Sequence, residues 1–288
     1  MSDVKLAGLP GRGVLRIDGE DRVAFLQGLV SNDVSRVGAD RAIYAALLTP
    51  QGKFLHDFFI AAIGDSLLID CEGDRRDDLF RRLRMYRLRS KVELTDVTEE
   101  LTVHAAFGEG AAGLAGENPS AGQAMPNGEG VSFVDPRLAG AGLRYILPAG
   151  TAPETGDLPV SAATADDYDR WRLSLGLPDG SRDMVVEKAI LLESGFEALN
   201  GVDFDKGCYM GQELTARTKY RGLVKKRLMP VRITGDLPEP GTAIMAGDRD
   251  VGEIRSGRGD LAMALVRLDA LEAGELTADG LKVTPAAS

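Results

Sequence analysis

A chain of 288 residues, 44% hydrophobic and 27% charged, can bury one to three cores, which excludes a disordered or fibrous polymer. A net charge of −10 excludes a generic DNA or RNA coater, and the longest apolar run, "FFIAAIGDSLLI", is cut by Gly64 and Asp65 before it could cross a bilayer. Two cysteines far apart in sequence make no disulfide framework, and "MSDVKLAGLPGRG" carries neither a signal-peptide core nor transit-peptide character, so a reduced, cytoplasmic location is expected.

From the N-terminus, "GVLRIDG" alternates as a strand does, and "DGEDRVAFLQGLVSND" has helical spacing through Val23, Leu26 and Val30, ending near Ser31 and Asn32. "AIYAALLTPQGKFLHDFFIAAIGDSLLIDC" reads as three strands joined by turns at Pro50-Gln51-Gly52 and Gly64-Asp65. "GDRRDDLFRRLRMYRLRSKVEL" is a helix with Leu79, Leu83 and Tyr86 aligned, its arginines on the solvent face, followed by a strand at "KVELTDV". Residues 108–128 are rich in Gly, Ala and Pro without a period and read as a surface loop. "RYILPAG" resumes a strand, and "TADDYDRWRLSLGLPDG" is a helix capped near Thr164 and stopped by Gly176 and Pro178. From residue 224 onward, strand-length segments at short spacing suggest a small terminal barrel. The class is α+β.

The densest chemistry lies in "LNGVDFDKGCYMGQELTAR", where Gly201, Gly207 and Gly211 surround Cys208. Glycines let the backbone take positive φ or approach a ligand closely. A helix is expected to begin within two residues of Met210, so Cys208 lies near a positive helix end with Lys206 beside it. Both features lower a thiol pKa and favour a reactive or ligating thiolate. The alternative is a cysteine buried as a small hydrophobe. An iron–sulfur cluster wants about four cysteines, so no metal is expected to bind this chain alone.

"KGCYMGQE" resembles the K-G-C-Y-x-G-Q-E signature of the YgfZ family of folate-binding proteins, relatives of the aminomethyltransferase (T-protein) of the glycine cleavage system. "DGEDRVAFLQGLVSNDV", "YAALLTPQGKFLHDFFI" and "WRLSLGLPDG" extend the resemblance along most of the chain. It implies a T-protein-like three-domain arrangement, with domains at residues 1–100 (ferredoxin-like), 101–222 and 223–288, around a central channel for tetrahydrofolate or a one-carbon derivative. It also implies that Cys208 is the key functional group, assisted by Lys206, and that iron–sulfur client or assembly proteins are partners.

By the same resemblance, Asp57 in "FLHDFFI" matches a strand aspartate that serves as acid/base group near the folate, a role that burial and a raised pKa would suit. Glu193 resembles the carboxylate that holds the pterin, its alternative being a solvated glutamate. Tyr44, Tyr209, Gln212 and Arg217 complete the expected folate-binding set. His56 occupies the place of a first aspartate in the aminomethyltransferase pattern; adjacent strand residues face opposite ways, so it forms no dyad with Asp57 and is expected at the surface. His104 reads as a packed strand histidine. "ARTKYRGLVKKR" is basic without an acid and suits a polyglutamate tail, an anionic partner or a tRNA phosphate, or is a solvated linker.

The expected function is a tetrahydrofolate-binding accessory factor for assembling or repairing iron–sulfur enzymes, including tRNA-modifying ones, through Cys208. The alternatives are a folate-dependent aminomethyl or one-carbon transferase using Asp57, and a thiol enzyme with Cys208 as nucleophile. No membrane or direct DNA partner is expected.

Overall fold

The period-two patterns of the first half become two sheets. The computed structural model describes residues 4–286 apart from Asp157 and Ala273. β1 (Val4–Gly8), β2 (Arg12–Asp18), α1 (Arg22–Gln27), β3 (Ile43–Leu48), β4 (Phe54–Ile63), β5 (Ser66–Glu72), α2 (Arg76–Tyr86), β6 (Glu93–Asp96) and β7 (Leu101–Phe107) follow in order. β2 to β6 form one sheet in the order β3-β4-β5-β2-β6. β4 and β5 turn at Gly64-Asp65, with Ile63 opposite Ser66. All six residues of β3 and the first eight of β4 are buried, so both faces of these strands are covered. α2 covers part of one face through Leu79 and Leu83, both fully buried, a gain of about 1.5–3 kcal/mol each.

Two local expectations need correction. α1 ends at Gln27, not near Ser31, because Gly28 closes it and Val30 then pairs with Leu47 beside β3. The segment 108–128 is not all loop: β8 (Ala124–Asn127) pairs with β9 (Gly130–Val134), and Pro126 is tolerated because β8 is an edge strand.

The second sheet runs β11-β1-β7-β10-β9-β8, with β10 at Leu143–Pro148 and β11 at Val160–Ala162. β1 pairs in parallel with β11 and antiparallel with β7, so the N-terminal strand crosses a linear division at residue 100. Phe59 of β4 meets Phe133 of β9 at 6.1 Å between ring centroids, where the two sheets pack. Both sheets belong to one compact unit, Met1–Leu48, Leu55–Tyr168 and Ala198–Met210.

The other unit comprises Thr49–Phe54, Asp169–Glu197 and Gly211–Ser288. α3 (Ala165–Ser174) enters it after a cap in which Thr164 and Asp167 exchange hydrogen bonds. α4 (Gly180–Asp183) and α5 (Gln212–Tyr220) follow. β12 (Lys226–Ile233), β13 (Ala243–Ala246), β14 (Arg249–Arg258), β15 (Leu261–Arg267), β16 (Leu276–Ala278) and β17 (Leu281–Pro285) close into a barrel ordered β12-β15-β14-β13-β16-β17, which leaves no open edge. Val231, Ile244, Ile254 and Val266 fill it. Buried Arg172 ties α3 to α4 and β14 through Asp183 (2.5 Å) and the Ser256 hydroxyl (2.6 Å).

Candidate functional site

The cysteine loop is pinned at several points to the turn that follows α1. Ser31 Oγ donates to the Gly201 carbonyl (2.6 Å), and Asn32 Nδ2 donates to the carbonyls of Asn200 and Tyr44 (2.7 Å each). Asp203 N donates to the Ser31 carbonyl (3.0 Å) and Met210 N to the Gly28 carbonyl (3.1 Å). Between these ties, Lys206 Nζ donates to the carbonyls of Gln27 (2.8 Å) and Val30 (2.6 Å), and lies 5.0 Å from the centroid of the buried Tyr209 ring. Burial lowers the Lys206 pKa to about 8, against the attraction of Asp33 and Asp203. Gly207 takes φ +91°, where a side chain would strain the backbone.

The result is an exposed Cys208 thiol on a fixed backbone, and the buried-hydrophobe alternative does not describe it. Cys71 takes that part instead: it is sealed in β5, and burial pushes its thiol up to about 12. Lys206 is close to Cys208 in sequence, yet its hydrogen bonds hold the loop rather than the sulfur.

In the same unit, Asp57 accepts a 2.7 Å hydrogen bond from the Tyr44 hydroxyl, and both side chains are buried. Burial and then the Asp57 charge raise the Tyr44 pKa well above its ordinary value. The residues around this pair carried no motif. Asp70 receives Arg12 Nε (2.6 Å) on one oxygen and Arg144 Nη2 (2.5 Å) on the other. Burial pushes the Asp70 carboxyl up, but the two guanidiniums hold it below its usual range. Arg137 forks onto Asp135 (3.0 and 2.8 Å), and Arg12, Arg137 and Arg144 all lie within 5.9 Å of the Phe59 centroid. A carboxylate inside the apolar strand "LLIDC" was the available signal for Asp70, and "VDPR" for the Asp135–Arg137 fork.

His56 corrects a sequence reading. It is 3% exposed, not at the surface, and its Nε2 lies 2.9 Å from Asp78 of α2. Because α2 covers this side of β4, the strand's second face is inside the protein. His56 and Asp57 do face opposite ways, with separate partners. His104 is a half-buried strand residue beside Thr102.

The other unit carries Glu193, Gln212 and Arg217. Glu193 lines a cavity of about 430 Å³ with Lys53, Lys188, Lys225 and Lys226. None of these four lysines has an ion pair among the described residues. Gln212 opens α5 after Gly211, which caps it at φ +80°. Arg217 pairs with Glu213 (2.5 Å) on an exposed face, and Lys219 pairs with Glu197, so the basic segment finds acids outside itself. Among the described residues, no three His, Cys, Asp or Glu side chains gather as metal ligands, and no helix is long and apolar enough to cross a membrane.

Two family models match: the GCVT N-terminal domain over residues 3–117 and the CAF17 C-terminal beta-barrel domain over residues 225–288. The mitochondrial iron–sulfur cluster assembly factor IBA57 of Homo sapiens is 35% identical over 280 residues, covering 90% of this chain and 76% of that protein. Its Mus musculus counterpart is 32% identical over 294 residues, with 92% and 78% covered. A mitochondrial IBA57 homolog of Mycosarcoma maydis is 36% identical over 242 residues, covering 79% of this chain and 57% of that protein. Among solved structures, aminomethyltransferase T of the Bartonella henselae glycine cleavage system superposes with a TM-score of 0.80 at 16% identity, covering all of this chain and 86% of that one. The fold is therefore that of the aminomethyltransferases with a closed C-terminal barrel, as the α+β reading expected. The cytoplasmic location does not stand: the similar proteins are mitochondrial, and an acidic, cysteine-poor composition suits any reducing compartment.

Proposed function

The chain belongs to the family of the iron–sulfur cluster assembly factor IBA57, and on that premise we propose that it is a tetrahydrofolate-binding accessory factor for assembling or repairing iron–sulfur clusters, with Cys208 as its working group. The reading sets it beside the YgfZ-type proteins whose motif it carries, and takes cluster enzymes, tRNA-modifying ones included, as clients. The observation that carries it is the pose of Cys208, an exposed thiol on a loop anchored by Lys206, Ser31 and Asn32.

A thiolate is a ligand for iron, but one thiol cannot hold a cluster. The cluster is cargo, and its remaining ligands come from the assembly protein or the client. A fixed loop favours such a shared complex, because little backbone freedom is left to lose when the partner arrives.

The side chains suit a reduced folate in kind. When bound, tetrahydrofolate supplies a reduced pterin able to carry one-carbon units. Glu193 would accept its N–H donors, and the lysines beside Glu193 would meet its glutamate tail. Gln212 and Arg217 belong to the same unit as Glu193, whereas Asp57, held by Tyr44, and Tyr209 belong to the other, where Asp57 is the group that the family resemblance implies for acid/base work.

Titrating tetrahydrofolate into the protein by calorimetry tests the reading. Binding is expected, weakened at least about tenfold in Glu193→Gln, since a lost charged hydrogen bond is worth about 1.5–3 kcal/mol. Cys208→Ser is expected to bind folate normally while losing support of cluster enzymes. Absence of binding removes the folate role.

The buried Tyr44–Asp57 pair also favours a second reading, one-carbon or aminomethyl transfer. Formation of methylene-tetrahydrofolate from an aminomethylated carrier, surviving loss of Cys208 but not of Asp57, would select it.

A further inference from the structure

The end of α2 and the turn after it stand apart from the features used so far. In an acidic chain, residues 81–91 read "RRLRMYRLRSK". Arg81 and Arg82 share the single carboxylate of Asp78 (2.5 and 2.7 Å), and Lys91 pairs with Glu20. Arg84, Arg87 and Arg89 have no ion pair among the described residues, although all three are exposed. Between them, Met85 is 61% and Leu88 87% exposed, while Leu79 and Leu83 turn the apolar stripe of the helix inward.

Leu88 is also held at φ +43°, the left-handed region that a non-glycine residue avoids. The side chain it presents is almost wholly in water, so burial within this chain does not offset the strain. Three arginines without an ion pair among the described residues thus alternate along the chain with two exposed apolar side chains.

We propose that residues 84–89 form a docking surface for an acidic segment of a partner protein. Guanidinium groups pair with carboxylates through two parallel hydrogen bonds, and Arg and Met are the residues enriched at protein interfaces. Met85 and Leu88 would enter an apolar patch on the partner, with Arg84, Arg87 and Arg89 meeting its carboxylates around the rim. The net charge of −10 repels long polyphosphate chains and anionic bilayers at a distance, and two apolar side chains are too few to anchor a protein in lipid. A short acidic protein segment meets the local excess without the wider repulsion.

The surface shares no residue with the cysteine loop, so variants of the two can be tested separately. A fluorescein-labelled peptide rich in Glu, Asp and Leu serves as probe, with full-length protein titrated by anisotropy. The expected result is saturable binding that weakens about tenfold or more in Arg84→Gln/Arg87→Gln/Arg89→Gln, as for other close charge pairs. Leu88→Gly is expected to weaken it while leaving the melting temperature unchanged or higher, and Cys208→Ser to bind normally. Should the triple variant fail to fold by circular dichroism, Arg87→Gln and Leu88→Gly decide. The proposal is overturned if the peptide does not bind, if these variants bind it like the wild type, or if poly-uridine or phosphatidylglycerol vesicles bind this surface more tightly than the peptide.

Discussion

The Lys206 ammonium donates to the carbonyl oxygen of Val30 at 2.6 Å, and this bond fixes the loop that presents Cys208. Lys206→Met would strand the carbonyls of Val30 and Gln27, which Lys206 also holds. The expected cost is about 1–3 kcal/mol in urea unfolding. Unchanged stability would mean that the loop is held without Lys206.

The two cysteines differ in access, and reagents should tell them apart. Cys208 is exposed, while Cys71 is buried and its thiol pushed up to about 12. A maleimide added to native protein should modify Cys208 quickly and Cys71 only after unfolding, as read by peptide mass mapping. Equal labelling of both would contradict the structure at β5.

Asp70 holds Arg12 and Arg144 together in the core of its unit. Asp70→Asn leaves two guanidiniums short of their counter-charge in a buried site. Removing one partner of such a group costs about 3–5 kcal/mol, which denaturant unfolding would register. A loss below about 1 kcal/mol would mean that water reaches the cluster.

His56 makes stability depend on pH. Burial, and then Arg75, lower its pKa from 6.5 to about 4, although Asp78 favours the charged ring. Between these values the unfolded chain binds the proton that the folded chain does not, so the stability from neutral His56 is complete above about pH 6.5. It is lost as pH falls toward 4, by at most about 3 kcal/mol at 1.36 kcal/mol per unit. The Asp78 carboxyl is pushed up by its partial burial, yet Arg82, Arg81 and His56 hold it below its usual range, so its own titration lies below this window. Stability profiles of the wild type and His56→Gln should diverge between pH 4 and 6.5; parallel profiles would refute the assignment.

Much of this architecture was legible because period and punctuation agreed. The three-strand run at 42–71, the helix over Leu79 and Leu83, and the terminal barrel all carried their turns with them. The misreadings share a cause. His56 and the end of α1 depend on what a distant element covers or pairs with, and one residue's neighbours in sequence do not disclose that. The cluster of Arg12, Asp70, Arg137 and Arg144 was hidden for the same reason, since its members lie on four separate segments. The cysteine motif was legible as a motif; the ties from Gln27, Val30, Ser31 and Asn32 that fix it were not.

The most direct measurement replaces Cys208 by Ser in cells that depend on this protein, then assays iron–sulfur enzymes and tRNA thiolation against a Cys71→Ser control. The account predicts that both activities fall with Cys208→Ser while the purified variant melts at the wild-type temperature. Full activity in that variant would contradict it.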